Sequence, residues 1–221
     1  HITMEEVVAL THQLGKQLGD SGIPVYLYEY AATQEFRKNL ANLRKGEYEV
    51  IPVKLKNENW KPDFGPQYFH PTFGMMALGA RKFLIAYNIN LNTTEVQVGK
   101  EIAQSIRKIR ARNDNSYLSN LFQNVKAIGW FMEEYNCVQV STNITDFEKS
   151  PIINVFTEIK HLAKEHGVET NGSELIGLIP KQALQHPVMT MEEAINYLGL
   201  NTVKPFDKDI NIIEYNLGIS K

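Results

Sequence analysis

Chemistry-bearing residues are sparse in this 221-residue chain, and those that cluster do so in one stretch. Gly65, Pro66, Gln67, Tyr68, Phe69, His70, Pro71, Thr72, Phe73 and Gly74 place three aromatic rings and an imidazole between paired Gly and Pro residues. Proline fixes φ and drives the residue before it towards extended geometry, so this stretch cannot be helix interior. Gly65 and Gly74 admit sharp turns or the close approach of a ligand. Two readings stay open. The segment is either a rigid aromatic platform for a flat ligand or a connection whose rings fill the edge of a core, since Gly and Pro punctuate most chains. His70 is likewise either a general acid/base or an ordinary polar loop residue, because no partner acid or base stands beside it in the sequence.

Other reactive side chains point nowhere in particular. The six histidines (1, 12, 70, 161, 166 and 186) lack metal-ligand spacing, so no metal is expected. No nucleophile elbow, GxxxxGKS phosphate loop or GxGxxG fingerprint is present. Cys137 sits at a strand start, where packing is expected rather than nucleophilic work. As the single cysteine it excludes an internal disulfide and fits a reducing compartment. Arg37, Lys38, Arg44 and Lys45 form a basic patch that either meets an anion or is a solvated helix face. Lys plus Arg total 23 against 25 for Asp plus Glu, a formal charge of -2, which argues against a nucleic acid held by its phosphates. Apolar runs are too short to span a bilayer and no signal peptide is visible, so no membrane partner is expected and the default location is cytoplasmic.

The elements that must position the loop are read from periodicity. Thr3-Met4-Glu5-Glu6 fits a capping box, and Met4, Val7, Leu10, Leu14 and Leu18 mark one apolar helix face ending near Gly22. A helix with no strand before it reads as the middle of a domain. It predicts a first half that lacks part of its sheet, exposes a strand edge or apolar face, and self-associates as a homodimer. Residues 23–28 read as a strand and 39–44 as a short helix closed by Gly46; residues 47–60 give no clear pattern. Residues 82–91 read as a strand with Phe83, Ile85, Tyr87, Ile89 and Leu91 on one face and Asn88 and Asn90 solvated.

Beyond it, Thr94-Glu95-Val96-Gln97 suggests a second capping box before a helix carrying Val98, Ile102, Ile106 and Ile109. Residues 113–124 read as a polar loop. Residues 125–133 and 138–144 read as a hairpin whose second strand is half-exposed, with Gln139 on its polar side. Ser150 as N-cap and Pro151 at the first position open a helix that ends at Gly167. A strand over 168–179, interrupted at Asn171-Gly172-Ser173, a helix from Thr190 to Leu198 and a short strand at 212–215 complete the chain. From residue 82 the order is βαββαβ, the ferredoxin-like arrangement with both helices on one face of an antiparallel sheet.

Several segments carry a family resemblance. IPVYLY, AATQEFRKNLANLRKGEY, DFGP, HPTFG, GARKFLIAYNINL, KAIGW, QVSTNITDFE and GSELIGLIP occur in an order that closely resembles glutamate formimidoyltransferase. That family stands alone in some bacteria and is fused to a cyclodeaminase in animals. The resemblance implies an α+β fold, an α/β sandwich of two ferredoxin-like subdomains with a folate-binding cleft between them. The first, residues 1–79, is incomplete here; the second is residues 80–221. It implies a transferase of histidine degradation and one-carbon metabolism, moving a formimino group from N-formiminoglutamate to tetrahydrofolate.

On the same footing Gly65–Gly74 corresponds to the folate-binding segment. Arg81 and Lys82 beside it are candidate carboxylate partners, or else solvent-facing strand-start charges. No catalytic residue carries over. In the family the catalytic His lies upstream of ITMEE and nothing in this chain aligns with it; His1 does not take its place, and His70 is the fallback. The rival function is a non-catalytic folate-binding or interaction fragment of the same fold. A ferredoxin-like nucleic-acid binder is disfavoured by the charge balance and the lack of a ribonucleoprotein aromatic motif.

Overall fold

A computed structural model describes residues 2–219; His1 lies outside the described residues. The chain divides into two compact units, one ending at Arg81 and the other beginning at Lys82. The α+β class is as expected.

In the first unit, helix α1 (Met4–Asp20) opens with the expected capping box: Thr3 Oγ accepts from Glu6 N at 3.2 Å and Thr3 N donates to Glu6 at 2.7 Å. Strands β1 (Val25–Glu29) and β2 (Met76–Ala80) pair in parallel, Val25 opposite Met76 and Glu29 opposite Ala80. The short helices α2 (Leu40–Arg44) and α3 (Ile51–Lys54) lie in the crossover between the strands. One apolar layer joins Val25, Leu27 and Ala80 to Met4, Val7, Val8 and Leu18 of α1. A second joins Tyr26, Leu43, Ile51 and Leu55 to Trp60, Phe69 and Met75. Strand β2 was not anticipated, because MALGA lacks the β-branched residues that mark a strand.

The face of α1 needs correction. Leu10 and Leu14 are 54% and 46% exposed, while Thr11, Gly15 and Gly19 are buried. A Cβ on Gly15 would stand 2.9 Å from the Phe64 ring, and one on Gly19 would stand 2.5 Å from Gly65 N. Small residues at i, i+4 and i+8 let the backbone of residues 64–65 lie directly on the helix, so the leucines are turned outward.

The second unit holds a four-stranded antiparallel sheet in the order β4-β5-β3-β6, formed by β3 (Ile85–Leu91), β4 (Val125–Met132), β5 (Cys137–Ile144) and β6 (Thr170–Ile176). With α4 (Val96–Arg112) between β3 and β4 and α6 (Ile152–Glu165) between β5 and β6, this is the expected ferredoxin-like topology. Ile85, Tyr87, Ile89 and Leu91 point to one side and share a core with Ile102 and Ile106 of α4 and Val155, Phe156 and Ile159 of α6. Each such side chain contributes about 1.5–3 kcal/mol on full burial.

Several local expectations fail for identifiable reasons. Phe83 precedes β3 and is 58% exposed. Asn88 and Asn90 are buried on the sheet's other face rather than solvated, and Asn90 accepts from Gln139 at 2.7 Å, so Gln139 is buried too. The second capping box does not form: Glu95 is the N-cap without a side-chain bond, and its N–H goes to Thr93. Residues 117–122 are not loop but helix α5, capped by Ser116. Ser150 does not cap α6; its hydroxyl donates to Leu121 O at 2.6 Å and leaves Pro151 as N-cap. The interruption in β6 is a register shift opposite Ile89 and Leu91, with Gly172 at φ 80°. The closing strand shrinks to one parallel bridge, Ile179 with Ile212, before a helical turn. Thr190 and Glu193 do form their capping box, opening α7 (Met191–Tyr197).

Candidate functional site

The Gly65–Gly74 loop is held at three places. At its start, Val25 N donates to Phe64 O and Asp63 N to Val25 O, both at 2.9 Å, tying the chain to β1. Gly65 has φ 82°, and a Cβ there would stand 2.2 Å from Ile23 O, so only glycine passes between Ile23 and α1. Midway, Gln67 Nε2 donates to Leu55 O at 3.1 Å. At the tip, Gly74 N donates to His70 O at 2.7 Å and Phe73 N to His70 Nδ1 at 3.0 Å, closing a tight turn. The Tyr48 hydroxyl donates to Pro71 O at 2.6 Å from outside that turn.

These bonds sort the aromatic side chains. Phe69 turns inward, edge-on to Tyr48 at 5.4 Å, and joins the apolar layer around Leu55. Tyr68 and Phe73 are 57% and 50% exposed. Phe73 borders an open cavity of about 310 Å³ with Tyr48, Ile51 and Met75 on its walls and Arg44 and Glu47 on its rim. The arrangement offers ring surfaces on a fixed backbone, which suits contact with a flat ligand.

Because Nδ1 of His70 accepts a backbone N–H, its neutral ring carries the proton on Nε2. Nε2 is thus the atom through which it would exchange a proton with a ligand. Gly74, expected to keep an approach path open, is buried, and the space a Cβ would take is bounded by Tyr48 and Ile51 at 3.2–3.3 Å. Bulk at that position acts on the Tyr48 contact.

Lys82 Nζ lies 3.0 Å from Asp146 and 2.7 Å from Glu148. Those hydrogen bonds, the one to Glu148 foremost, hold its pKa above the ordinary lysine value. A substrate carboxylate at Lys82 would compete with two carboxylates of the protein itself. Arg81 is exposed at the end of the first unit. Cys137 is buried, and desolvation raises its pKa, as packing rather than nucleophilic use requires. Among the described residues no group of three or more His, Cys, Asp or Glu could hold a metal ion, and no helix is long and apolar enough to cross a membrane.

Arg37 overturns the reading of residues 37–45 as one surface patch. It is fully buried, while Lys38, Arg44 and Lys45 are exposed. Its guanidinium meets Asp63 at 2.9 Å, immediately before the loop. Nothing in the spacing of charges signals this; the acid lies 26 residues away.

Two family models match in tandem: "Formiminotransferase domain, N-terminal subdomain" over residues 1–81 and "Formiminotransferase domain" over residues 86–189. A glutamate formimidoyltransferase of Streptococcus pyogenes serotype M1 is 38% identical, over 98% of this chain and 67% of its own length. The chain belongs to the formiminotransferase family. A glutamate formimidoyltransferase of Thermoplasma acidophilum is 40% identical, over 96% of this chain and 64% of its own. The formimidoyltransferase-cyclodeaminase of Gallus gallus is also 40% identical, but the 97% of this chain that matches spans only 42% of that protein. The chain thus covers under half of the fused relatives and about two thirds of the stand-alone ones. In this formiminotransferase family chain, the Gly65–Gly74 loop falls wholly within the N-terminal subdomain match.

Proposed function

We propose that this chain forms part of a folate-dependent glutamate formimidoyltransferase, and that its Gly65–Gly74 loop carries the tetrahydrofolate. The reading rests on the loop itself: a backbone pinned at three places, with Tyr68 and Phe73 exposed on it, inside the family match. Transfer from N-formiminoglutamate joins a tetrahydrofolate amine to the formimino carbon. The new C–N bond forms as the carbon's bond to the glutamate nitrogen breaks. One group must take the amine proton and return a proton to the departing nitrogen, within hydrogen-bond reach of both. Holding the two substrates together supplies much of the acceleration.

In this chain the loop performs the positioning. The proton shuttle is assigned to the segment that precedes ITMEE in the family pattern, with His70 Nε2 as the alternative on the chain. A homodimer and a cytoplasmic setting complete the proposal. Arg81 and Lys82 are the candidate carboxylate partners, and at Lys82 a substrate carboxylate would compete with Asp146 and Glu148.

A formimino-transfer assay decides between the two shuttles. The 221-residue chain alone should transfer nothing, and a protein extended by the preceding family segment should turn over even as His70→Ala. Turnover by the chain alone that vanishes in His70→Ala would move the shuttle to His70. Activity in neither form, with 5-methyltetrahydrofolate still bound, would favour the non-catalytic folate-binding reading.

A further inference from the structure

Arg37 spends its entire side chain inside the first unit. Its Nη1 donates to Asp63 Oδ2 at 2.9 Å, and its Nη2 donates to Lys61 O at 2.8 Å and Asn59 O at 3.1 Å. One planar fork therefore grips the chain at residues 59, 61 and 63, the run that leads into the loop. The guanidinium lies 5.0 Å from the Tyr26 ring centroid and 5.4 Å from that of Phe36. Asp63 is equally committed. It also accepts from Leu27 N at 2.8 Å and from the Thr33 hydroxyl, which ties the same carboxylate to β1 and to the turn after it.

A core built only for stability would not need this. A buried ion pair gains little over apolar residues of the same volume, because both charges must be desolvated. What it does supply is register: three acceptors at fixed positions fit one fork, and a slip of one residue breaks all of them. The loop that follows has a matching requirement, since Gly65 clears Ile23 O only in its present place.

We infer that Arg37 and Asp63 are a positioning pair for the Gly65–Gly74 loop, setting where its aromatic side chains stand for the ligand. The inference rests on the folate reading of that loop only for the identity of the ligand; the anchoring itself is independent of it. Neither residue touches the ligand. Arg37→Lys keeps the charge but offers one nitrogen in place of the fork, and Asp63→Asn keeps the shape and the acceptor for Leu27 N without the charge.

Hydrogen–deuterium exchange on the ligand-free chain reads the anchoring, and titration with 5-methyltetrahydrofolate reads its consequence. Both variants should fold, with exchange in residues 85–176 unchanged. Amides of residues 61–74 should exchange about tenfold faster, and affinity should fall about tenfold, of the order expected for a lost charged hydrogen bond. Unchanged exchange across 61–74 in folded Arg37→Lys and Asp63→Asn would overturn the pair's role. Faster exchange confined to 61–74 supports the pair even if the wild-type chain fails to bind the folate, an outcome that removes the folate reading alone.

Discussion

Tyr48 and Pro71 are joined across 23 residues, the phenol donating to the proline carbonyl at 2.6 Å. That bond ties the tip of the loop to the 3-10 turn Tyr48–Val50, next to α3. A hydrogen bond of this kind is worth about 1 kcal/mol net. Tyr48→Phe should therefore weaken 5-methyltetrahydrofolate binding by about fivefold, the factor that energy corresponds to. Calorimetric titration checks it, and an unchanged affinity would remove Tyr48 from the account.

Gly74 lies against the same tyrosine. At φ 74°, and with Tyr48 and Ile51 at 3.2–3.3 Å from an added Cβ, a β-branched residue there is strained and pushes Tyr48 away. Gly74→Val should cost more affinity than Lys56→Ala, Lys56 being exposed. Equal losses in parallel titrations would count against the loop as a binding surface.

The sequence made much of this visible, and its blind spots have physical causes. Alternating apolar residues in β3 and β5, and the 3.6-residue repeat in α4 and α6, led directly to the ferredoxin-like second unit, because in each the apolar side chains are gathered on the side that meets the shared core. Residues 113–124 misled because α5 is only six residues long and is flanked by the polar runs 113–116 and 123–124, which give the stretch the look of a loop. Asn88, Asn90 and Gln139 misled because a polar side chain reads as solvated unless its hydrogen-bond partner is known. The loop was legible through its Gly and Pro. Its anchors were not: Arg37 and Asp63 meet only in three dimensions, and no local pattern separates a buried arginine from the exposed lysine beside it.

Gly99 and Gly129 bring α4 onto β4 at closest range. A Cβ on Gly129 would lie 2.0 Å from the Gly99 carbonyl carbon, and backbone cannot yield as a flexible side chain does. Gly129→Ala should destabilise the second unit by about 1–3 kcal/mol or more. Urea unfolding followed through Trp130, which neighbours the site on β4, reads the change; a midpoint within error of wild type would contradict the packing.

Alkaline pH should weaken the fold through tyrosines. Burial pushes the Tyr26 phenol from 10.0 up to about 12, with Arg37 opposing and Asp63 adding to the shift. Burial raises Tyr87 as well. A group whose pKa is raised in the folded state contributes stability that is complete below its unfolded value and disappears as pH climbs through the folded one. Stability should thus hold up to pH 10.0 and fall towards pH 12. Tyr26→Phe should flatten part of that fall, by urea midpoints taken across the window. An unaltered slope would mean the phenol is not the group responsible.

The most direct test of the central claim is a two-dimensional amide NMR titration of the chain with 5-methyltetrahydrofolate. If the loop is the folate platform, saturable shifts appear at residues 65–74, Pro66 and Pro71 excepted, and extend to Tyr48. They are lost in Gly74→Val. Saturable shifts elsewhere with the 65–74 amides unmoved, or no shifts up to millimolar ligand, would contradict it.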